Sequence, residues 1–302
     1  MKKNIFVIVI LIVTMSVKAQ WLWDFGATIG ASNYLGDIGG KEKTRRDFVA
    51  DLKLSQTRWN VGAFGRYKLL PRLSLKLAFD YLRIEGKDNL STNPGRYYRN
   101  LNFRNDIIDL GLTGEFFFYE NNDLGNTFRY KNGFRAYVFG GIGGFRSDPK
   151  SLYRNEWVKL RDIKTEGESY SAFGLNIPMG LGFYFTFNKI HRIGFEANYR
   201  KTFTDYLDDI SGNYPETPPT DPYLQGLILR TNELPQSDLE SSNAPLSHVW
   251  GAKRGDNSRK DAYITLNLSY SYVIRGKSGF YKANNGSFFG NKRKMRKIRA
   301  KF

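Results

Sequence analysis

Glu115 and Glu196 are the first residues to weigh as chemistry, because two carboxylates brought together can divide general-acid and general-base work. Ser247 and His248 are a second candidate, a hydroxyl and an imidazole of the kind an acyl hydrolase uses as nucleophile and base, although neighbours in sequence need not face each other. Asp205, Asp208 and Asp209 supply the hard oxygen ligands that calcium takes. Their spacing is not that of an EF-hand loop, and a solvated strand end accounts for them. His191 is the other histidine of the chain, and there is no cysteine. That composition excludes disulfides, thiolate nucleophiles and cysteine-rich zinc sites, and leaves a histidine-based metal cluster short of ligands. No cofactor and no metal is expected.

The elements that position these residues are strands. Aromatic residues make up 16% of the 302 residues and glycine contributes 30, a mix that suits pleated surfaces and tight turns better than helix interiors. The amino terminus reads as a signal peptide over residues 1–19: Lys2 and Lys3, then the apolar run Ile5–Val13, then Val17-Lys18-Ala19, with cleavage expected after Ala19. That run is too short for a membrane helix, which needs about 20 apolar residues. An exported chain without further apolar runs is either a soluble secreted protein or an outer-membrane barrel.

Period-two alternation favours the barrel. From Phe173 to Asn188 one face reads Phe173, Leu175, Ile177, Met179, Leu181, Phe183, Phe185 and Phe187, and the other carries Gly174, Asn176, Pro178, Gly180, Gly182, Tyr184 and Thr186. From Ala262 to Ile274 the split sets Ile264, Leu266, Leu268, Tyr270 and Tyr272 against Tyr263, Thr265, Asn267, Ser269 and Ser271. Extending the reading gives eight strands, roughly Trp21–Ser32, Arg58–Lys68, Leu73–Glu85, Phe103–Tyr119, Phe134–Arg146, Ser171–Asn188, Arg192–Tyr206 and Lys260–Arg275. In the fifth, Tyr137 and Phe139 compete with Ala136, Val138 and Ile142 for the apolar face. Pro178 lacks a ladder donor, so a bulge is expected there.

Connections after the even strands are short or moderate and those after the odd strands are long, the longest being Leu207–Arg259. That is the pattern of an all-β, eight-stranded antiparallel transmembrane β-barrel, residues 20–275, with termini in the periplasm and long loops outside. Trp21, Trp23, Trp59, Tyr67, Tyr81, Tyr270 and Tyr272 are placed to form aromatic girdles. A lumen this narrow holds side chains and no wide pore. The inward set includes Asp24, Arg66, Lys68, Lys76, Asp80, Asp109, Glu115, Glu196 and Arg200, with both signs present, so a paired charge network is expected rather than a catalytic carboxylate pair.

Outside the barrel, Tyr214–Glu240 is rich in Pro, Asp, Thr and Ser and reads as an extended, polar, outward segment. Arg154, Lys159, Arg161 and Lys164 are candidates for lipopolysaccharide phosphates. Residues 276–302 form a flexible basic tail in which Lys292, Arg293, Lys294, Arg296, Lys297, Arg299 and Lys301 follow a Gly- and Asn-rich link. The topology puts this block in the periplasm, so its anionic partners are acidic proteins and envelope polymers and not nucleic acid.

Four segments, Ser32-Asn33-Tyr34-Leu35-Gly36-Asp37, Gly140-Gly141-Ile142-Gly143-Gly144-Phe145, Leu175–Phe183 and Tyr199–Asp209, occur in an order that resembles the PorG-like outer-membrane proteins of the type IX secretion system of Bacteroidetes. The resemblance spans about Trp23 to Arg275, and the tail departs from it. It implies a non-enzymatic barrel that meets a periplasmic ring built from a PorK-like lipoprotein and a PorN-like partner. It also implies a need for that barrel in the export of substrates carrying a C-terminal signal. The competing readings are a lipid-modifying enzyme on a small barrel and a simple adhesion or structural barrel.

Overall fold

The computed structural model describes residues 23–38, 54–91, 93–121, 132–236 and 249–274. The signal peptide, Trp21, Ser247, His248 and the basic tail lie outside the described residues. Ten strands and two short helices follow in chain order: β1 (Trp23–Leu35), β2 (Arg58–Leu70), β3 (Leu73–Lys87), α1 (Pro94–Arg99), β4 (Asn102–Asn121), β5 (Gly133–Arg146), β6 (Lys150–Tyr153), β7 (Glu156–Lys159), β8 (Phe173–Phe187), β9 (His191–Thr202), α2 (Pro222–Ile228) and β10 (Ala262–Val273). Eight of the strands run β3-β2-β1-β10-β9-β8-β5-β4, and pairing of β3 with β4 closes the ring. Every pairing is antiparallel.

Ladder partners followed from Trp23 through Tyr67, Leu75, Gly114, Gly140, Met179, Tyr199 and Ile264 return to β1 at Asn33, ten residues from the start. A stagger of that size over eight strands tilts each strand against the barrel axis. Closure also leaves no open ladder edge along the wall, so backbone polar groups are satisfied without water.

The alternation expected from sequence is the division between outside and inside. Leu266 is 44% exposed and Leu268 55%, whereas Asn267 between them is 2% exposed. Leu77, Leu110, Leu112, Leu181 and Phe195 also point outward and are exposed. A continuous apolar exterior of this extent has lipid as its solvent. In β5, Val138 and Ile142 face outward, while Tyr137 and Phe139 are buried in the lumen. Trp23 stacks near Phe25 and Tyr67 at the end with short turns, and Trp59 packs edge-on against Tyr81 toward the other end, giving two aromatic levels.

Three expectations need correction. Pro178 causes no bulge: β8 keeps its register with β9 through Pro178–Arg200, and with β5 on both sides of the position. Register shifts occur instead at Lys68/Leu70 and Phe117/Tyr119, near the short-turn end. The connection from β5 to β8 is not plain loop, because β6 and β7 form a hairpin hung from β4 through Arg104–Lys150. The segment after β9 is no extended polar strand of chain either. It buries Leu207, Ile210, Tyr214, Leu227 and Ile228 and contains α2, which starts at Pro222 with Asp221 accepting from the Tyr223 amide at 2.8 Å.

Leu266→Arg should cost about 2–4 kcal/mol of folding free energy near the midplane. Asn267→Ser removes the acceptor of the Asn60 amide, a 2.8 Å hydrogen bond, and should cost about 1 kcal/mol. Equal losses in a urea titration of both variants in lipid would contradict the assignment of the two faces.

Candidate functional site

Inward positions build three layers. Toward the short-turn end, Arg66 Nε donates to Glu115 Oε2 at 2.6 Å and its Nη1 to Asp24 Oδ2 at 3.1 Å. Asp24 also receives Arg192 and the Ser271 hydroxyl. The Arg66 guanidinium lies 5.1–5.6 Å from the ring centroids of Phe64, Tyr137 and Tyr184, so rings fill the space the ions leave. Phe117, Tyr137, Phe139 and Tyr184 form one buried cluster there.

In the middle layer Lys76 Nζ donates to Glu196 Oε2 at 2.6 Å, and the same oxygen accepts the Tyr137 hydroxyl at 2.9 Å. Above it, Arg200 pairs with Asp80, and its Nε stands 3.5 Å from Asp109. Tyr263 and Asn176 both donate to Asp109 Oδ2. Each of the lumen carboxylates Asp24, Asp80, Asp109, Glu115 and Glu196 therefore meets a cation. A cavity of about 10 Å³ touches Thr28, Lys76, Asp80, Glu196, Arg200 and Asn267, room for a single water. The sequence-derived set Asp24, Arg66, Lys76, Asp80, Glu115, Glu196 and Arg200 is thus brought together in one lumen. Lys68 stands half-buried at its short-turn end.

Glu115 and Glu196 do not share a substrate-sized space. Each is nearly or fully buried and held by its own cation, Arg66 for Glu115 and Lys76 for Glu196. His191 Nδ1 is bonded to the Tyr270 hydroxyl at 2.8 Å.

The long-loop end is closed by a cap that the sequence pattern did not disclose. Leu207 and Ile210 enter the barrel mouth and pack with Tyr34, Leu82, Ile84, Phe103, Phe145 and Tyr263. Asp205, Asp208 and Asp209 are buried, not solvated, which overturns the reading of a strand end in water. Among the described residues no group of His, Cys, Asp or Glu side chains is arranged to hold a metal ion. Asp208 instead accepts from the amides of Ile38 at 3.2 Å and Ile210 at 3.0 Å. Tyr34 donates to Asp261 at 2.6 Å and accepts from the Asp37 amide at 3.1 Å. Asp209 is held by Thr165, by Tyr170 at 2.6 Å and by Arg254, whose Nη1 also reaches Glu166 at 3.2 Å. Arg99 clamps the rim through Asp88 and the carbonyls of Asp37 and Arg254. Of the loop cations expected to meet lipopolysaccharide, Arg154 and Lys164 are exposed, and Lys159, also exposed, and Arg161 each stand 3.6 Å from Asp148.

Burial, and then the neighbouring carboxylates Asp261 and Asp37, hold the Asp208 carboxyl well above the usual range, and burial also raises Asp209 against the pull of Arg254. A carboxyl that keeps its proton longer when folded makes the cap lose stability as pH rises from about 4, the unfolded value, through the elevated folded value. The Ile38 amide should therefore exchange more slowly at pH 5 than at pH 8 after correction for intrinsic rates, and Asp208→Asn should flatten the difference. Unchanged protection in the parent protein across that range would contradict the assignment.

Solved structures similar to this chain are small barrels of low identity. Ail, the attachment invasion locus protein of Yersinia pestis, is 11% identical, with 83% of this chain and 98% of that chain covered and a TM-score of 0.35. The outer membrane protein OprG from Pseudomonas aeruginosa is 8% identical, with 86% and 100% covered and a TM-score of 0.35. Neisserial surface protein A is 7% identical, with 84% and 98% covered and a TM-score of 0.32. No curated protein matches the sequence. A family model described as a domain of unknown function, DUF6089, matches residues 2–226, which takes in the barrel from β1 to β9 and most of α2. With well over half of its length matched, the chain belongs to the DUF6089 family.

Proposed function

We propose that this protein is a non-enzymatic outer-membrane component of the type IX secretion system that anchors the periplasmic ring of a PorK-like lipoprotein and its PorN-like partner. The observation that carries the reading is the filled lumen. Among the described residues, ion pairs, aromatic rings and a packed cap occupy the lumen, so function is placed at the exposed surfaces. The resemblance of Ser32–Asp37, Gly140–Phe145, Leu175–Phe183 and Tyr199–Asp209 to PorG-like proteins supplies the system. Those segments form strand and cap: Tyr34, Asp37 and Asp208 meet around one hydroxyl and its neighbours. They support kinship in the barrel and leave the docking surface to other residues.

The expected signal peptide and the apolar exterior support an outer-membrane location. Trp23 and Val273 reach the same end as the short turns, so in a barrel with periplasmic termini that end meets the ring. Leu69, Leu70, Phe118 and Tyr119 are exposed there, and β10 ends on that side at Val273, ahead of the basic stretch Lys292–Lys301 in the sequence. An apolar rim with a tethered cationic segment suits an acidic protein surface, because the tether raises the local concentration of a weak charge contact.

Affinity isolation of the full chain in mild detergent should recover the ring proteins. Deleting Gly290–Phe302 should lower their recovery without altering heat-modifiable migration of the barrel, and the difference should shrink with salt as exposed charges are screened within about 8–10 Å. Absence of ring proteins from the parent protein's isolate would contradict the proposal.

A further inference from the structure

The barrel exterior is not uniform at the long-loop end. Since the ladder climbs ten residues in eight strands, one level of the wall passes through Arg83 on β3, Asp106 on β4, Arg146 on β5, Leu175 on β8 and the Lys201–Phe203 stretch leaving β9. Arg83 is neutralised on this level by Asp106, at 2.6 and 3.2 Å. Arg146 and Lys201 are different. Both point outward and are exposed, and neither has an acidic or hydrogen-bonding side-chain partner among the described residues. Both flank β8, with Arg146 opposite Phe173 and Lys201 opposite Ile177.

What lies around them is apolar. Phe173 is 72% exposed, Leu175 65% and Phe203 59%, high values even for this outer wall. Below them on the β4–β5 side the outward positions Gly114 and Gly140 face each other across the ladder, and Gly144 stands above. A Cβ added at Gly140 would meet nothing within 4 Å, so the wall is furrowed there beside the projecting Ile142 and Leu181. A furrowed apolar wall topped by two uncompensated cations is complementary to an amphiphile with anionic head and acyl tails. A cation left unpaired at a membrane interface gains most from a phosphate.

We infer that β5, β8 and β9 form a binding site for a lipid carrying two phosphates in the leaflet at the long-loop end. Arg146 and Lys201 each take one phosphate, and the acyl chains lie over Gly140, Gly144 and the side chains of Ile142 and Leu175. Strand spacing and rise put the two Cα atoms about 16 Å apart, a gap that calls for two separated anionic groups rather than one. The site uses none of the loop cations Arg154, Lys159, Arg161 and Lys164, and it does not depend on the secretion-system reading.

Native mass spectrometry of the full chain in detergent, with diphosphorylated lipid A as probe, tests the site. The parent protein should retain the lipid and bind the dephosphorylated form about tenfold more weakly, a difference near 1.4 kcal/mol. Arg146→Gln with Lys201→Gln should lose the same factor, Arg83→Gln should change little, and heat-modifiable migration of each variant shows that it has folded. Equal retention by the double variant and the parent would overturn the site. So would equal loss in Arg83→Gln, or displacement of the lipid by millimolar inorganic phosphate.

Discussion

Pairing of charges inside the lumen is the constraint on which the rest of this structure depends. An ion buried without a partner costs several kcal/mol, so the carboxylates and cations on the inner wall are tolerable only in one mutual arrangement. The pairs do not run along neighbouring strands alone. Arg66 on β2 reaches β1 and β4, Lys76 on β3 reaches Glu196 on β9, and Arg200 on β9 reaches Asp80 and Asp109 on β3 and β4. The bonds cross the barrel and tie opposite walls together. A slip of one residue in any of these strands would turn its charges into lipid and its leucines into the lumen, so the same contacts that fill the interior hold the register.

From this arrangement the division of labour follows. The ionic middle is closed toward the short turns by Phe117, Tyr137, Phe139 and Tyr184, and toward the long loops by Leu207 and Ile210 seated on Leu82, Ile84 and Phe103. The cap is built as a small folded layer with its own buried pairs, Arg99 with Asp88 and Arg254 with Glu166 and Asp209, and not as a set of independent loops.

Strand number, strand faces and the inward charge set were legible because alternation needs only the pleat: parity alone sends Asp80 in and Leu77 out. The pairing was not legible, since Lys76 meets Glu196 only once the stagger of ten is known, and no local pattern encodes it. Tyr137 and Phe139 were ambiguous for the same reason; their inward place is set by Arg66 and Lys76, whose cations lie near their rings. The cap was misread because five prolines between Tyr214 and Glu240 marked it as extended, although Leu207, Ile210, Tyr214, Leu227 and Ile228 are spread through it and Asn93-Pro94 and Asp221-Pro222 are helix starts. The bulge expected at Pro178 failed because a missing donor interrupts the β5 ladder without shifting it.

The barrel is a plugged body, cross-braced by ion pairs between opposite walls. Planar-bilayer recording on the purified full chain tests it most directly. A silent membrane is expected at 100 mV in molar potassium chloride after insertion is verified, because paired ions and rings fill the lumen layers and the cavity between Lys76, Glu196 and Arg200 has room for a single water. Stable unitary conductance steps that vanish on heat denaturation would contradict it.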